Sequence, residues 1–466
     1  MTRILVIGGG PAGYEAALVA AQLGAEVSVV ERDGLGGACV LYDCVPSKTF
    51  IASSDAMTDF RGAAEMGIDA GKPADIAVDA PVVHDRVRRL ALAQSADVGR
   101  HLSRVGVQVV SGVARLAEPG TGRRHRVEIT PADGPAEVVE ADIVLVAVGA
   151  TPRILPGAEP DGERVLNWRQ VYALPALPEH LVIVGSGVTG AEFASAYLAL
   201  GVEVTLVASR DHVMPGEDAD ATVLIEEVFI RRGMTIMSHS RAAAVRRSDT
   251  GVTVELTDGR CVEGSHALMA VGSVPNTSGL GLDAAGVAID AGGFVAVDRV
   301  SRTSVPGIYA AGDVTGVLML ASVAAMQGRI AMWHGLGETV LPLRLKTVSA
   351  NVFTDPEIAT VGIGQSTVDS GSVPARTVKL PLATNARAKM QGITDGFVKL
   401  FCRPSSGLVI GGVVVAPHAS ELILPIALAV ENHLSVDQIA HTISIYPSLS
   451  GSLTETARQL MQHEFD

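Results

Sequence analysis

The first hydrophobic run of the chain, Ile4 to Ile7, is too short for a helix and is closed by glycine. An unbroken apolar run of that length fits a strand covered on both faces, as in a parallel sheet. It leads into Gly8-Gly9-Gly10-Pro11-Ala12-Gly13, then an alanine-rich segment of helical character, then a second strand-like run from Glu26 to Val30 that closes on Glu31. This is a βαβ unit. The same order recurs far downstream. Leu181 to Val184 runs into Gly185-Ser186-Gly187-Val188-Thr189-Gly190, a helical segment follows through Leu200, and Glu203 to Val207 alternates as a strand.

Each unit carries G-x-G-x-x-G between strand and helix, the context in which that spacing has a mechanism. The first glycine makes the tight turn, the second lets backbone approach a pyrophosphate, and the third lets helix pack on strand. The opening helical turn then presents free N–H groups to phosphate. Two such units predict two nucleotide cofactors. Glu31 stands 23 residues beyond Gly8, and Ala208 stands 23 beyond Gly185. A carboxylate at this position accepts hydrogen bonds from a free ribose 2′-OH and repels a 2′-phosphate. The second unit lacks it and continues with Ser209 and Arg210, which suit a phosphate. We therefore expect NADPH at the second unit, with NADH possible; the competing reading makes Arg210 an ordinary solvated loop charge.

Length and composition narrow the class. At about 150 residues per domain, 466 residues predict roughly three domains. Acidic residues outnumber basic ones by 50 to 36, for a net charge of −14, and no basic cluster is present, so nucleic acid is not expected as a partner. Four cysteines are too few for a disulfide scaffold and point to a reducing compartment. The apolar stretch from Leu408 to Val430 is interrupted by Pro417, His418, Glu421 and Pro425, and the amino terminus runs directly into a glycine turn without a cleavage site. The expectation is a cytoplasmic protein without stable membrane insertion. No His or Cys spacing suggests a metal site.

Between the glycine units stands Gly36-Gly37-Ala38-Cys39-Val40-Leu41-Tyr42-Asp43-Cys44-Val45-Pro46-Ser47-Lys48. Further motifs are Val148-Gly149-Ala150-Thr151-Pro152-Arg153, Val271-Gly272-Ser273-Val274-Pro275-Asn276 and Ile308-Tyr309-Ala310-Ala311-Gly312-Asp313. With these the chain resembles, over nearly its whole length, the flavoprotein disulfide reductases. The resemblance implies an α/β protein with two Rossmann-like dinucleotide-binding domains and an α+β carboxy-terminal dimerisation domain. In that scheme FAD takes residues 1–150 and 275–343, the nicotinamide nucleotide takes 151–274, and 344–466 forms the homodimer contact. The FAD residues implied are Gly8, Gly10, Pro11, Ala12, Gly13, Glu31, Arg32, Gly37, Ala38, Lys48, Ala114, Val148, Gly149, Gly312 and Asp313. To these the resemblance adds the start of a helix at Leu320, Ala321 and Ser322, whose positive end favours negative charge on the reduced flavin. For the nicotinamide nucleotide it implies Gly185, Gly187, Val188, Thr189, Gly190, Ser209, Arg210 and Gly272.

Within the resemblance, Cys39 and Cys44 are the redox-active pair, with Cys44 next to the flavin and Cys39 facing the substrate. Five residues on an ideal helix separate Cα atoms by about 7.5 Å, beyond the roughly 4.4–6.8 Å a disulfide spans. A helix carrying both must therefore be distorted between them, and Pro46, which cannot donate to the carbonyl of Tyr42, agrees. Asp43 departs from the family's usual glycine and disfavours a thiolate beside it. Cys261 and Cys402 lie in strand-like runs and are read as apolar fillers. Lys48 and Glu192 match the family's ion pair near the flavin, where a cation stabilises charge as hydride arrives.

What is missing decides the substrate. Disulfide-reducing members carry a His-Pro near the carboxy terminus, with Glu five residues after the His. Here Tyr446-Pro447 and Gly451 occupy those places. An imidazole of pKa about 6.5 exchanges a proton with a leaving thiol at neutral pH, and a phenol of pKa about 10 does not. A quinone needs no such base, and Tyr446 supplies a hydrogen-bond donor. The expected activity is that of an FAD-dependent NAD(P)H:quinone oxidoreductase, in the lipoamide-dehydrogenase-like branch. Alternatives are a dihydrolipoamide dehydrogenase-type disulfide reductase working through Cys39 and Cys44, and a flavin and thiol redox sensor. Mercury reduction is not expected, because the final run Met461 to Asp466 holds no cysteine pair.

Overall fold

The computed structural model describes residues 1–69, 71, 76–120, 122 and 124–461; the run 462–466, read above for a cysteine pair, lies outside them. The chain divides into two compact units, one of Met1–Thr49, Val82–Arg153 and Gly272–Arg344, the other of Phe50–Pro81, Ile154–Val271 and Leu345–Asp466.

The first unit is built on the strand β1 (Arg3–Ile7), the helix α1 (Pro11–Gln22) and the strand β2 (Glu26–Glu31). β1 is the hub of a parallel sheet in the order Ile308–Ala310, Ile143–Val146, β1, β2, Gln108–Leu116, and the last strand turns into an antiparallel extension, His125–Pro131 and Glu137–Ala141. Ile4, Leu5, Val6 and Ile7 are all buried, which is why both faces of β1 read as apolar. α1 is lined with alanine because it lies close to the helix Ala321–Gly335. A Cβ added at Gly328 would sit 2.1 Å from the carbonyl oxygen of Ala12, so only glycine allows that approach.

In the second unit, the parallel sheet runs Thr235–Met237, Glu203–Val207, His180–Val184, His266–Met269, Val165–Asn167. A three-stranded antiparallel sheet, Ala242–Arg247, Val252–Leu256 and Cys261–Gly264, accompanies it. The carboxy-terminal part forms a five-stranded antiparallel sheet in the order Ser349–Val352, Glu357–Gly362, Val409–Ala416, Phe397–Cys402, Arg376–Pro381, with Leu424–Glu431 and Gly451–Leu460 among its helices. Cys402 is buried as expected, but Cys261 is exposed. The reading of Cys261 as a core filler is thus corrected: its strand is an edge strand, and Cys261 lies with Glu263 on the exposed face of that strand.

Candidate cofactor and redox site

The two glycine turns are sterically alike. Gly8 has φ +102°, and a Cβ there would lie 2.4 Å from the carbonyl oxygen of Ala147; at Gly185 (φ +109°) it would lie 2.2 Å from that of Ala270. At both third positions, Gly13 and Gly190, a Cβ would fall 1.9 Å from the carbonyl oxygen of the first glycine. The middle positions differ in kind. Among the described residues, nothing lies within 4 Å of a Cβ at Gly187, and at Gly10 the nearest atom is the Gly37 Cα at 3.9 Å. The chain itself does not require glycine there, so the space in front of each helix start is left to a ligand. Neither Gly10 nor Gly187 has a side chain to cap its helix, and the first-turn N–H groups of Pro11–Gln22 (Pro11 excepted) and Val188–Ala199 are open to phosphate. These features fit a dinucleotide in each unit.

Glu31 ends β2 and does more than mark a ribose position. Its Oε2 accepts the Gly9 N–H at 2.6 Å, and its Oε1 accepts those of Asp33 at 2.7 Å and Gly34 at 3.2 Å. The carboxylate therefore braces the glycine turn it faces. Arg32 is engaged with Asp33 through two hydrogen bonds of 2.9 Å. Ala114 is buried in its strand opposite Ile129. Val148 and Gly149 are held by Asn276, whose Nδ2 donates to the Val148 carbonyl at 2.9 Å and whose N–H donates to Gly149 at 3.1 Å. Gly272 accepts the Arg153 N–H at 2.9 Å.

Asp313 follows Gly312 (φ +81°) in a short turn. Gln327, buried in the helix Ala321–Gly335, accepts the Gly312 N–H at 2.9 Å and donates to Thr315 Oγ1 at 3.3 Å. Sequence reading passed over Gln327, whose buried amide no local pattern announced. The same helix starts at Leu320 without a side-chain cap, so its first N–H groups remain available. Burial, reinforced by Asp43, pushes the Asp313 carboxyl up to about 6. The native state thus holds this proton more tightly than the unfolded chain, and its stability falls as pH rises from about 4 through about 6, by up to about 3 kcal/mol. Asp313→Asn is expected to raise the melting temperature of flavin-free protein at pH 8 and not at pH 4, while weakening FAD retention. Equal shifts at both pH values would contradict it.

The cysteine pair bridges a helix break. α2 (Gly37–Leu41) ends before Tyr42, and α3 (Cys44–Gly62) begins at Cys44. The Tyr42 and Asp43 N–H groups both donate to Ala38, at 2.9 and 2.8 Å, and Ser47 donates to Asp43 at 2.7 Å. The distortion expected between the cysteines is this interruption. Both thiols are free. The hydrogen bond with Cys39, then burial, then the charges of Cys39 and Asp43 hold the Cys44 thiol well above its ordinary range, against the pull of Lys48. The dithiol form keeps its proton.

Glu192 lies in the helix Val188–Ala199 with 4% of its surface exposed, and its Oε1 accepts the Phe353 N–H at 2.9 Å. Ser209 and Arg210 are exposed beyond the strand Glu203–Val207. Their loop is tied to the next strand's loop: Ala208 donates to Met237 at 2.9 Å, Ser240 to Ala208 at 2.8 Å and His239 to Arg210 at 3.1 Å. Glu226 anchors it further, accepting the Val213 N–H at 2.6 Å and lying 3.0 Å from His212 Nδ1. No local pattern announced Glu226. Tyr446 is 85% exposed, between the helix Val436–Ala440 and the helix Gly451–Leu460. At Gly451 an added Cβ would meet nothing closer than 3.7 Å, so no steric demand keeps glycine where a disulfide reductase has Glu. Among the described residues, no group of three or more His, Cys, Asp or Glu could hold a metal ion, and no helix is long and apolar enough to cross a membrane.

The family profile described as pyridine nucleotide-disulphide oxidoreductase matches residues 2–328, and the dimerisation domain of the same family matches 348–457. An NAD(P)H dehydrogenase (quinone) of Mycobacterium tuberculosis is 60% identical over 468 residues, covering 100% of this chain and 95% of that protein. A dihydrolipoyl dehydrogenase of Zymomonas mobilis is 33% identical over 97% of this chain and 96% of its own. The crystal structure of LpdA from Mycobacterium tuberculosis superposes with a TM-score of 0.95 at 60% identity, over 99% of this chain and 100% of that one.

Proposed function

Because the chain belongs to the pyridine nucleotide-disulphide oxidoreductases, we propose that it is a cytoplasmic, homodimeric FAD enzyme that oxidises NADPH in preference to NADH and reduces a quinone. The single observation that carries the choice of acceptor is Tyr446 with Gly451 in place of the His and Glu that serve thiol leaving groups. The name of the 60% identical relative agrees with it.

FAD, NADPH and quinone divide among residues already described. When bound, the flavin supplies a two-electron carrier between nicotinamide and acceptor. The turn Gly8 to Gly13, braced by Glu31, holds its pyrophosphate and ribose. Asp313 would take the ribityl hydroxyls, and the open helix start at Leu320, Ala321 and Ser322 would favour negative charge on the reduced flavin. Gly185 to Gly190 hold the NADPH pyrophosphate, and Ser209 and Arg210 bind the 2′-phosphate. Lys48 and Glu192 take the roles the family gives to these positions, orienting the reacting ring and stabilising charge on it. The Tyr446 hydroxyl donates a hydrogen bond to a quinone oxygen. Cys39 and Cys44 are spectators, consistent with a Cys44 thiol held protonated.

An acceptor screen tests this reading: NADPH oxidation measured alone, with benzoquinones and naphthoquinones, and with lipoamide. Quinone is expected to stimulate turnover and lipoamide is not. Stimulation by lipoamide alone would transfer the protein to the disulfide-reducing branch. Cys39→Ser and Cys44→Ser are each expected to retain quinone turnover within about threefold, because no electron passes through sulfur. Loss of quinone turnover in both variants would restore the thiol route.

A further inference from the structure

We propose that Ser195 is a positioning residue for Glu192, acting through the turn Phe353 to Pro356; this rests on the role given to Glu192 above. Glu192 and Ser195 are one turn apart on the helix Val188–Ala199, so their side chains share a face. Both are buried, with 4% and 5% of their surfaces exposed. Each accepts one backbone N–H from the same turn: Glu192 Oε1 from Phe353 at 2.9 Å, and Ser195 Oγ from Asp355 at 3.0 Å. The turn is thus docked on the helix by two amides two residues apart, as a strand would dock on a neighbour.

The two contacts are unequal in support. Asp355 is held from three directions. Ser195 takes its N–H, and Arg232 Nη1 donates to its carbonyl at 3.0 Å and to its carboxylate at 2.9 Å. Thr354, also buried, closes the turn by donating to the Pro356 carbonyl at 2.7 Å. Asp355 is therefore firmly held, and its position constrains the Phe353 amide two residues before it. That amide is one of the contacts that orient the buried Glu192 carboxylate. Removing the Ser195 hydroxyl leaves the Asp355 N–H without its acceptor and loosens the turn, so the amide that Glu192 accepts shifts with it. A misplacement of a fraction of an ångström at a charged group beside the reacting ring slows the chemical step without weakening the remote binding of the nucleotide.

The test uses the FAD-loaded homodimer and, separately, flavin-free protein. In Ser195→Ala, the bleaching of flavin absorbance after rapid mixing with saturating NADPH is expected to slow about tenfold, with NADPH Kd and quinone-dependent reoxidation within twofold. Hydrogen exchange of the Phe353 and Asp355 amides in flavin-free protein is expected to speed up. Ser195→Thr, which keeps the acceptor, restores both. Arg232→Gln loosens the same turn from its partly exposed side and should slow bleaching in the same direction, which keeps the idea testable if Ser195→Ala folds poorly. Glu192→Gln serves as the reference, and its effect should not add to that of Ser195→Ala. Unchanged bleaching in Glu192→Gln would remove the role of Glu192 itself. Slow bleaching in Glu192→Gln with full speed in Ser195→Ala, or unchanged amide exchange, would overturn the positioning role alone.

Discussion

Arg210→Glu is expected to lower kcat/KM for NADPH about a hundredfold and to leave NADH within a few-fold, reversing the nucleotide preference. The loop that carries Arg210 ends a strand whose family counterpart in the first unit closes on a carboxylate, Glu31. Ala208 offers no such group and is fully buried, so the proposed function assigns recognition of the 2′-position to Ser209 and Arg210. The loop is already in place before ligand arrives, because Ala208 is tied to Met237 and Ser240, and Val213 to Glu226. A preformed loop spends little binding energy on ordering itself, so the charge on residue 210 acts nearly in full. A charge-assisted hydrogen bond is worth about 1.5–3 kcal/mol, and the introduced carboxylate adds repulsion. Steady-state rates with both nucleotides measure the effect. An equal fall for NADPH and NADH would show that Arg210 serves the fold or the shared part of the nucleotide.

A second large effect separates two glycines of one motif. In Gly190→Ala the new methyl would fall 1.9 Å from the carbonyl oxygen of Gly185, a backbone atom that cannot rotate away. Helix and strand would have to part, at a cost of about 3 kcal/mol or more, so the variant is expected to express poorly or melt far below the parent. Gly187→Ala meets no protein atom within 4 Å, and its φ of −73° suits any residue. Its flavin-loaded fold should melt within a few degrees of the parent, while KM for NADPH is expected to rise tenfold or more, since the methyl would stand where the proposed function places the pyrophosphate. Thermal melts beside nucleotide titrations check both. Normal NADPH binding by Gly187→Ala would mean that the space before this helix is not a phosphate site.

The readable part of the site was local. The two strand, glycine turn and helix units, the helix break between Cys39 and Cys44, and the absence of His and Glu at positions 446 and 451 all depend on residues a few places apart. Steric rules act over that range: a positive φ, a proline without an N–H, or a carboxylate at a strand end announces itself in the sequence. Expectation for Cys261 failed for a related reason. The strand-like run was recognised correctly, but burial depends on what covers the strand, and this one lies at the edge of its sheet.

Sequence alone therefore determined which nucleotide turns exist, in what order, and which proton-handling groups are absent, since short-range geometry allows few alternatives. The fold alone decided that Gln327 supports the Asp313 turn, that Glu226 ties down the Arg210 loop, and that Phe353, 161 residues from Glu192, supplies the amide its carboxylate faces. Those pairings leave no periodic trace, because a buried polar group needs one partner at hydrogen-bond distance, and any residue with a backbone N–H can be that partner once the chain has closed around it.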